Sequence, residues 1–159
     1  MPKPLWAPWR LEYVEQADER AGCIFCTPED DLLLRRETLA FAVLNRYPYA
    51  SGHLMVAPVR HLADFGALTD AEATAVHRLA AEALRALDAE YRPQGYNLGW
   101  NLGRVAGAGI VDHVHLHLVP RWVGDTNFMP VLADVKSIPE ALAETARRLR
   151  ARLSERPRP

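Results

Sequence analysis

His113-Val114-His115-Leu116-His117-Leu118-Val119-Pro120 places three imidazoles on alternate positions of an aliphatic run. Aliphatic and β-branched residues at period two read as a strand, so the three rings project from one face, roughly 6.6 Å apart along it. One histidine on a half-buried strand is ordinary, because its ring nitrogens bond to backbone or water. Three in register oblige the fold to satisfy six ring nitrogens in one place, which is costly without ligands or partners. The run therefore predicts the wall of a site.

Working outward, Leu39-Ala40-Phe41-Ala42-Val43-Leu44-Asn45 reads as a strand and Arg46-Tyr47-Pro48-Tyr49-Ala50-Ser51-Gly52 as a loop. His53-Leu54-Met55-Val56-Ala57-Pro58 returns as an antiparallel partner. Tyr96-Asn97-Leu98-Gly99-Trp100-Asn101 is a third strand, the glycine-rich stretch 103–109 a loop, and the histidine run a fourth strand. Thr69 and Glu72 form a capping box ahead of Val76, Leu79, Ala80, Ala83, Leu84 and Leu87 at helical spacing, a helix that Pro93 closes. A second amphipathic helix, about 139–153, carries Leu142, Ala146, Leu149 and Leu153 on one side and arginines, read as a solvated face, on the other. Antiparallel strands with helices between and after them predict an α+β fold in one domain.

With 19 Lys+Arg against 20 Asp+Glu the net charge is −1, so no global field draws nucleic acid or an anionic membrane, and phosphate binding must come from local donors. Met1-Pro2-Lys3-Pro4 opens without the apolar core of a secretory signal, and no apolar stretch reaches the length of a membrane span. A cytoplasmic location is expected, where the two cysteines stay reduced. Cys23-Ile24-Phe25-Cys26 supplies half of a tetrahedral zinc site, with a redox pair and two inert buried thiols as the competing readings. His77 has no partner at metal spacing and is assigned no role.

A neutral imidazole attacks phosphorus directly when its other nitrogen donates its proton to a carbonyl that fixes the tautomer, and the product is a phosphoramidate. The P–N bond then passes the group readily to a second acceptor. His115 is the natural nucleophile, being the only one of the three with an imidazole on both sides.

The run from His113 to Val119 resembles the His-φ-His-φ-His-φ-φ signature of the histidine triad (HIT) superfamily of nucleotide hydrolases and transferases. Asn45 and the strand from Gly52 to Pro58 resemble that family's nucleotide-binding hairpin, Asn101 to His113 its phosphate loop, and Pro120-Arg121 its usual close. The resemblance covers most of residues 21–122, leaving a C-terminal extension. It implies about five antiparallel strands flanked by helices, paired as a homodimer.

Residue by residue, the resemblance makes His115 the nucleophile, with His117 and His53 supporting the phosphate and its proton transfers and His113 completing the triad. It places Asn45 near the ribose and Asn101 near the phosphates, with Phe41 and Leu44 against the base, although such apolar positions are more often plain core. Zinc-bearing members complete the two cysteines with a histidine after the second strand and the first triad histidine. Here those are His61 and His113, giving the set Cys23, Cys26, His61 and His113, structural because four protein ligands leave no open position.

Three segments, Leu5-Trp6-Ala7-Pro8-Trp9-Arg10, Asn45-Arg46-Tyr47-Pro48-Tyr49 and the run from Arg121 to Pro130, look like the bacterial diadenosine tetraphosphate phosphorylase (ATP adenylyltransferase) branch. In that reaction the nucleotidyl group on histidine passes to inorganic phosphate, giving ADP, with ATP as the first leaving group. Gly107-Ala108-Gly109-Ile110 lacks the glutamine or serine that many relatives place in this loop, so backbone amides are expected to take over there. Arg121 and Arg104 are candidates to hold phosphate oxygens. The alternatives are a hydrolase of dinucleoside polyphosphates or nucleoside phosphoramidates that releases AMP, and a nucleotide-binding module without catalysis. An RNA-end or DNA-adenylate processing enzyme would need an added basic or zinc-finger module, which the short chain does not supply.

Overall fold

A computed structural model describes residues 22–125 and 140–155. The segment Leu5 to Arg10, the end of the run from Arg121 to Pro130, and the expected start of the second helix lie outside the described residues. The strands are β1 (Leu33–Arg36), β2 (Ala40–Leu44), β3 (Leu54–Pro58), β4 (Gly95–Trp100) and β5 (Leu116–Arg121). They form one sheet in the order β1-β2-β3-β5-β4, and every pair is antiparallel. The helices are α1 (Asp70–Tyr91) and α2 (Leu142–Ser154). The α+β expectation with five strands holds.

Directly opposed residues share a face of a sheet. Val43, Met55 and His117 are therefore on one side, as are Phe41 and Ala57, while Leu44, Leu54 and Leu118 are on the other. The helices cover the second face, where Leu79, Leu87 and Leu149 are fully buried, each stabilising the fold by about 2 kcal/mol. The first face is left for chemistry.

β1 was not legible as a strand from its residues. Leu33-Leu34-Arg35-Arg36 is short, half charged, and interrupted by an irregularity between Leu33 and Arg35. The histidine run also departs from expectation: β5 begins at Leu116, so His113 and His115 precede the ladder instead of standing on it. Proline explains the stop. Opposite this stretch β3 ends at Pro58, which has no N–H to donate, and the next N–H points to the other neighbour, Val59 bonding the Leu39 carbonyl beside β2. Val114 N–H instead bonds the carbonyl of Leu62 at 2.7 Å, in the loop after β3.

The turn between β2 and β3 is set by Gly52, at φ +76°. A Cβ there would lie 2.8 Å from Leu87 Cδ2 on α1, so both backbone conformation and close approach require glycine immediately before His53. The loop after β3 is tied to α1 by a single carboxylate. Glu72 closes the expected capping box on Thr69 and also takes a two-pronged pair from Arg60, Nε at 2.7 Å and Nη2 at 2.8 Å. His61 is thereby anchored beside that pair.

The arginines of α2 are not simply a solvated face. Arg152 Nε bonds Glu90 at 2.8 Å and Arg148 Nη1 bonds Glu140 at 2.5 Å, while only Arg147, paired with Glu144, is well exposed.

Arg60 and the Thr69 cap hold the Glu72 carboxyl down at about 2, against an ordinary 4.5. Its stabilising contribution is thus complete above pH 4.5 and is lost as pH falls towards 2. Glu72→Gln should lower unfolding free energy by about 1–2 kcal/mol at pH 7, and the gap to wild type should close on acidification, measured by urea denaturation across pH. A gap constant down to the lowest accessible pH would refute this assignment.

Candidate active site and metal cluster

At His115, Nδ1 lies 2.8 Å from the carbonyl oxygen of His113. A carbonyl only accepts, so Nδ1 carries the proton and Nε2 keeps its lone pair. Burial pushes the imidazole below the usual histidine range, outweighing the opposite pull of that carbonyl, and so favours the neutral, nucleophilic form. The Phe25 ring packs on the imidazole with centroids 4.5 Å apart and touches His113 at 5.4 Å.

His53 and His117 form a second chain whose tautomers are also fixed by the backbone. His53 Nδ1 accepts the N–H of Tyr49 at 3.0 Å, so its proton sits on Nε2 and points to His117 Nδ1 at 3.0 Å. His117 when neutral therefore carries its proton on Nε2. Tyr49 also stacks on His53, with rings 4.9 Å apart and 13° from parallel. His117 and His115 meet edge to face at 4.9 Å.

Both rings border a cleft of about 780 Å³, open to solvent. Asn45, Gly107 and Gly109 border it, as does Leu44, although strand parity puts the Leu44 side chain on the helix-covered face. Asn45 is oriented by its own turn, its Oδ1 accepting Tyr47 N–H at 2.9 Å. Four of the nucleotide-binding candidates do not line it: Phe41, Asn101, Arg121 and Ala108. Phe41 is on the right face but fully buried, covered by Phe25 and by Arg36 above its ring. Asn101 borders a second cleft, behind the glycine loop, with Phe65 and Ile110. Arg121 is engaged elsewhere, by Asp125 at 2.6 Å and Asn97 at 2.7 Å.

The apolar walls come instead from Ile24, Phe25, Leu32, Val43 and Met55. Strand parity could have found Val43, which alternates with Phe41, but nothing local marks the turn that carries Leu32. Ala108 is buried within the loop. The amides of Ala106, Gly107 and Ala108 are occupied by the carbonyls of Gly103 and Arg104, so a nest of amides facing phosphate would have to form beyond them. Arg104 lies on the short 3-10 turn that opens this loop, and His77 is exposed on α1.

Behind the nucleophile, one ligand atom from each of Cys23, Cys26, His61 and His113 lies within 4.8 Å of the others. Around a tetrahedral ion with bonds of about 2.0–2.3 Å, ligand atoms stand about 3.3–3.8 Å apart. Here Cys23 Sγ to His113 Nδ1 is 3.3 Å, Cys26 Sγ to His61 Nδ1 3.2 Å and Cys26 Sγ to His113 Nδ1 3.8 Å. His113 Nε2 donates to the Pro58 carbonyl at 2.9 Å, which leaves Nδ1 unprotonated towards the sulfurs, the outer arrangement of a metal-ligating histidine. The four residues fit a metal ion. Burial raises the Cys23 thiol, and a cation would offset that by favouring the thiolate.

The HIT domain family model matches residues 28–123. The AP-4-A phosphorylase of Mycobacterium tuberculosis (strain ATCC 25618 / H37Rv) is 37% identical over 166 residues, covering 96% of this chain and 85% of that protein. Adenosine 5'-monophosphoramidase hnt1 of Schizosaccharomyces pombe is 33% identical over 104 residues, 63% of this chain and 74% of that protein. Among solved structures, a Zn-bound histidine triad family protein from Mycobacterium smegmatis superposes with a TM-score of 0.62 at 24% identity, covering 90% of this chain and 92% of that one. The family match, the 37% identity along nearly the whole chain and the shared fold together place this protein in the HIT domain family.

Proposed function

We propose that the protein is a nucleotidyl transferase that cleaves dinucleoside polyphosphates, diadenosine tetraphosphate first among them, through a nucleotidyl group held on His115. The observation that carries this reading is the His115 tautomer: a neutral ring with its lone pair on Nε2, bordering an apolar cleft. In the first step Nε2 attacks the α-phosphorus, the bond from that phosphorus to the bridging oxygen breaks, and ATP leaves as its anion, accepting a hydrogen bond from His117 Nε2–H. In the second step an unprotonated oxygen of inorganic phosphate attacks the same phosphorus while His117 Nε2–H donates to an oxygen of the transferred group. The P–N electron pair returns to His115, and ADP is released. His53 holds His117 in the tautomer that can do both. Asn45 is assigned to the ribose and the apolar walls to the base. The 37% identity to the mycobacterial AP-4-A phosphorylase supports phosphate as acceptor. Water as acceptor, releasing AMP, is the second reading, which the phosphoramidase relative supports.

Zinc is the metal proposed for Cys23, Cys26, His61 and His113. Bound there it would supply structural cross-linking and no Lewis-acid site, since the protein fills all four positions. The same reading takes the chain as one histidine triad domain, with a core of about 21–122 and a C-terminal extension that includes α2. It takes the active form to be a homodimer. β4 is a sheet edge on which Leu98 is exposed, with exposed Leu102 and Phe65 beside it, an apolar edge that a second copy would cover. No described helix is long and apolar enough to cross a membrane, and thiols at ligand distance suit the reducing cytoplasm.

Product analysis tests the chemistry: diadenosine tetraphosphate with phosphate should yield ADP and ATP, whereas AMP plus ATP, or two ADP, would make the protein a hydrolase. His115→Ala should cut turnover by at least roughly 10³-fold and abolish a trapped adenylyl-protein that His77→Ala retains. Normal turnover without His115 would end the proposal. Metal analysis should find about one zinc per chain and less in Cys26→Ser; a zinc-free protein purified without chelator would exclude the metal. Leu98→Arg should shift the sedimentation of the native species from dimer to monomer, and an unchanged profile would exclude this edge.

A further inference from the structure

The family model ends at residue 123, yet a residue well beyond it holds one wall of the cleft. Residues 29–33 make a single helical turn, with the N–H groups of Leu32 and Leu33 bonded to the Glu29 carbonyl at 3.0 and 2.9 Å. The chain then leaves for β1, so no following N–H continues the pattern at the carbonyls of Asp30 and Asp31. One guanidinium serves them. Arg150 Nη2 lies 2.5 Å from the Asp30 carbonyl and 2.9 Å from that of Asp31, and its Nε lies 2.8 Å from that of Leu33.

This turn is not remote from the site. It contributes Glu29 and Leu32 to the cleft, and the Leu32 carbonyl bonds the N–H of Leu44, another cleft residue, at 2.9 Å. The arginine itself is fixed from behind. Leu149 beside it is fully buried, Arg152 is paired to Glu90 of α1, and Arg35 of β1 donates to the Leu153 carbonyl at the end of α2 at 2.8 Å.

We propose that Arg150 is a positioning residue for the nucleoside part of the substrate. It locks the 29–33 turn so that the Leu32 wall is preformed before a base enters between it and Val43. The inference rests on reading the cleft as a nucleotide site. It predicts a binding effect and not a chemical one, because Arg150 touches neither the histidines nor the phosphate loop. A planar fork that meets three carbonyls cannot be copied by an ammonium, so lysine should not rescue it.

The test measures AMP binding by calorimetry, and KM and kcat with diadenosine tetraphosphate, on the full chain as wild type, Arg150→Ala, Arg150→Lys and Arg147→Ala. Loss of preorganisation should raise the AMP Kd and the KM about tenfold in both Arg150 variants with kcat within about twofold, while Arg147→Ala matches wild type. Should Arg150→Ala fail to fold, Arg150→Lys alone decides. Unchanged Kd and KM in a folded Arg150 variant, or a fall in kcat at constant KM, overturns the inference and leaves the nucleotide reading standing. Wild-type protein that binds no adenine nucleotide overturns both.

Discussion

The 2.8 Å hydrogen bond from His115 Nδ1 to the His113 carbonyl sets everything else in the site. An imidazole has two chemically equivalent ways to be neutral, and only one of them leaves Nε2 able to attack. Water could pair with either nitrogen, so solvent would not select. A buried carbonyl two residues back selects completely, because it offers only an acceptor. Burial adds the second requirement by disfavouring the cation, which has no lone pair at all.

His113 is the residue through which the site is joined to the fold. Its carbonyl orients the nucleophile, its Nε2–H is given to Pro58, and its Nδ1 faces the two cysteines. Each of these contacts depends on the chain having left the β-ladder, since a regular rung would commit the carbonyl of His113 to a neighbouring strand. Pro58 makes that departure unavoidable from the opposite side. The same proline thus ends one strand and supplies the acceptor that orients the ring.

How far the site could be read from the sequence follows from which features are local. The Thr69–Glu72 box and the spacing of Leu79, Ala83 and Leu87 depend on near neighbours in the chain and survive into the structure, whereas of the three histidines only His117 stands on the ladder. The cysteine pair gave only half a ligand set. The family resemblance supplied His61 and His113, and the structure brings all four together. Hydrophobicity favours Phe41 and Leu44 as base walls, but Phe25 covers Phe41 and register puts the Leu44 side chain on the helix-covered face. Leu32 could not have been found, since its exposure to the cleft is fixed by a turn whose carbonyls are held from a helix more than a hundred residues later. Arg121 was misplaced for a simpler reason: Asp125, four residues on, competes for it within the same loop.

Phe25 sits between the two cysteines in the chain and packs on His115 with its ring tilted by 35° and the centroids 4.5 Å apart. A segment so short cannot open at one end and stay closed at the other. Local unfolding of the cysteine turn would peel the ring away, admit water to the imidazole and return it to the solvated state in which either nitrogen can hold the proton. Closure of the cysteine turn and shielding of the nucleophile from water are thus tied together by one aromatic ring.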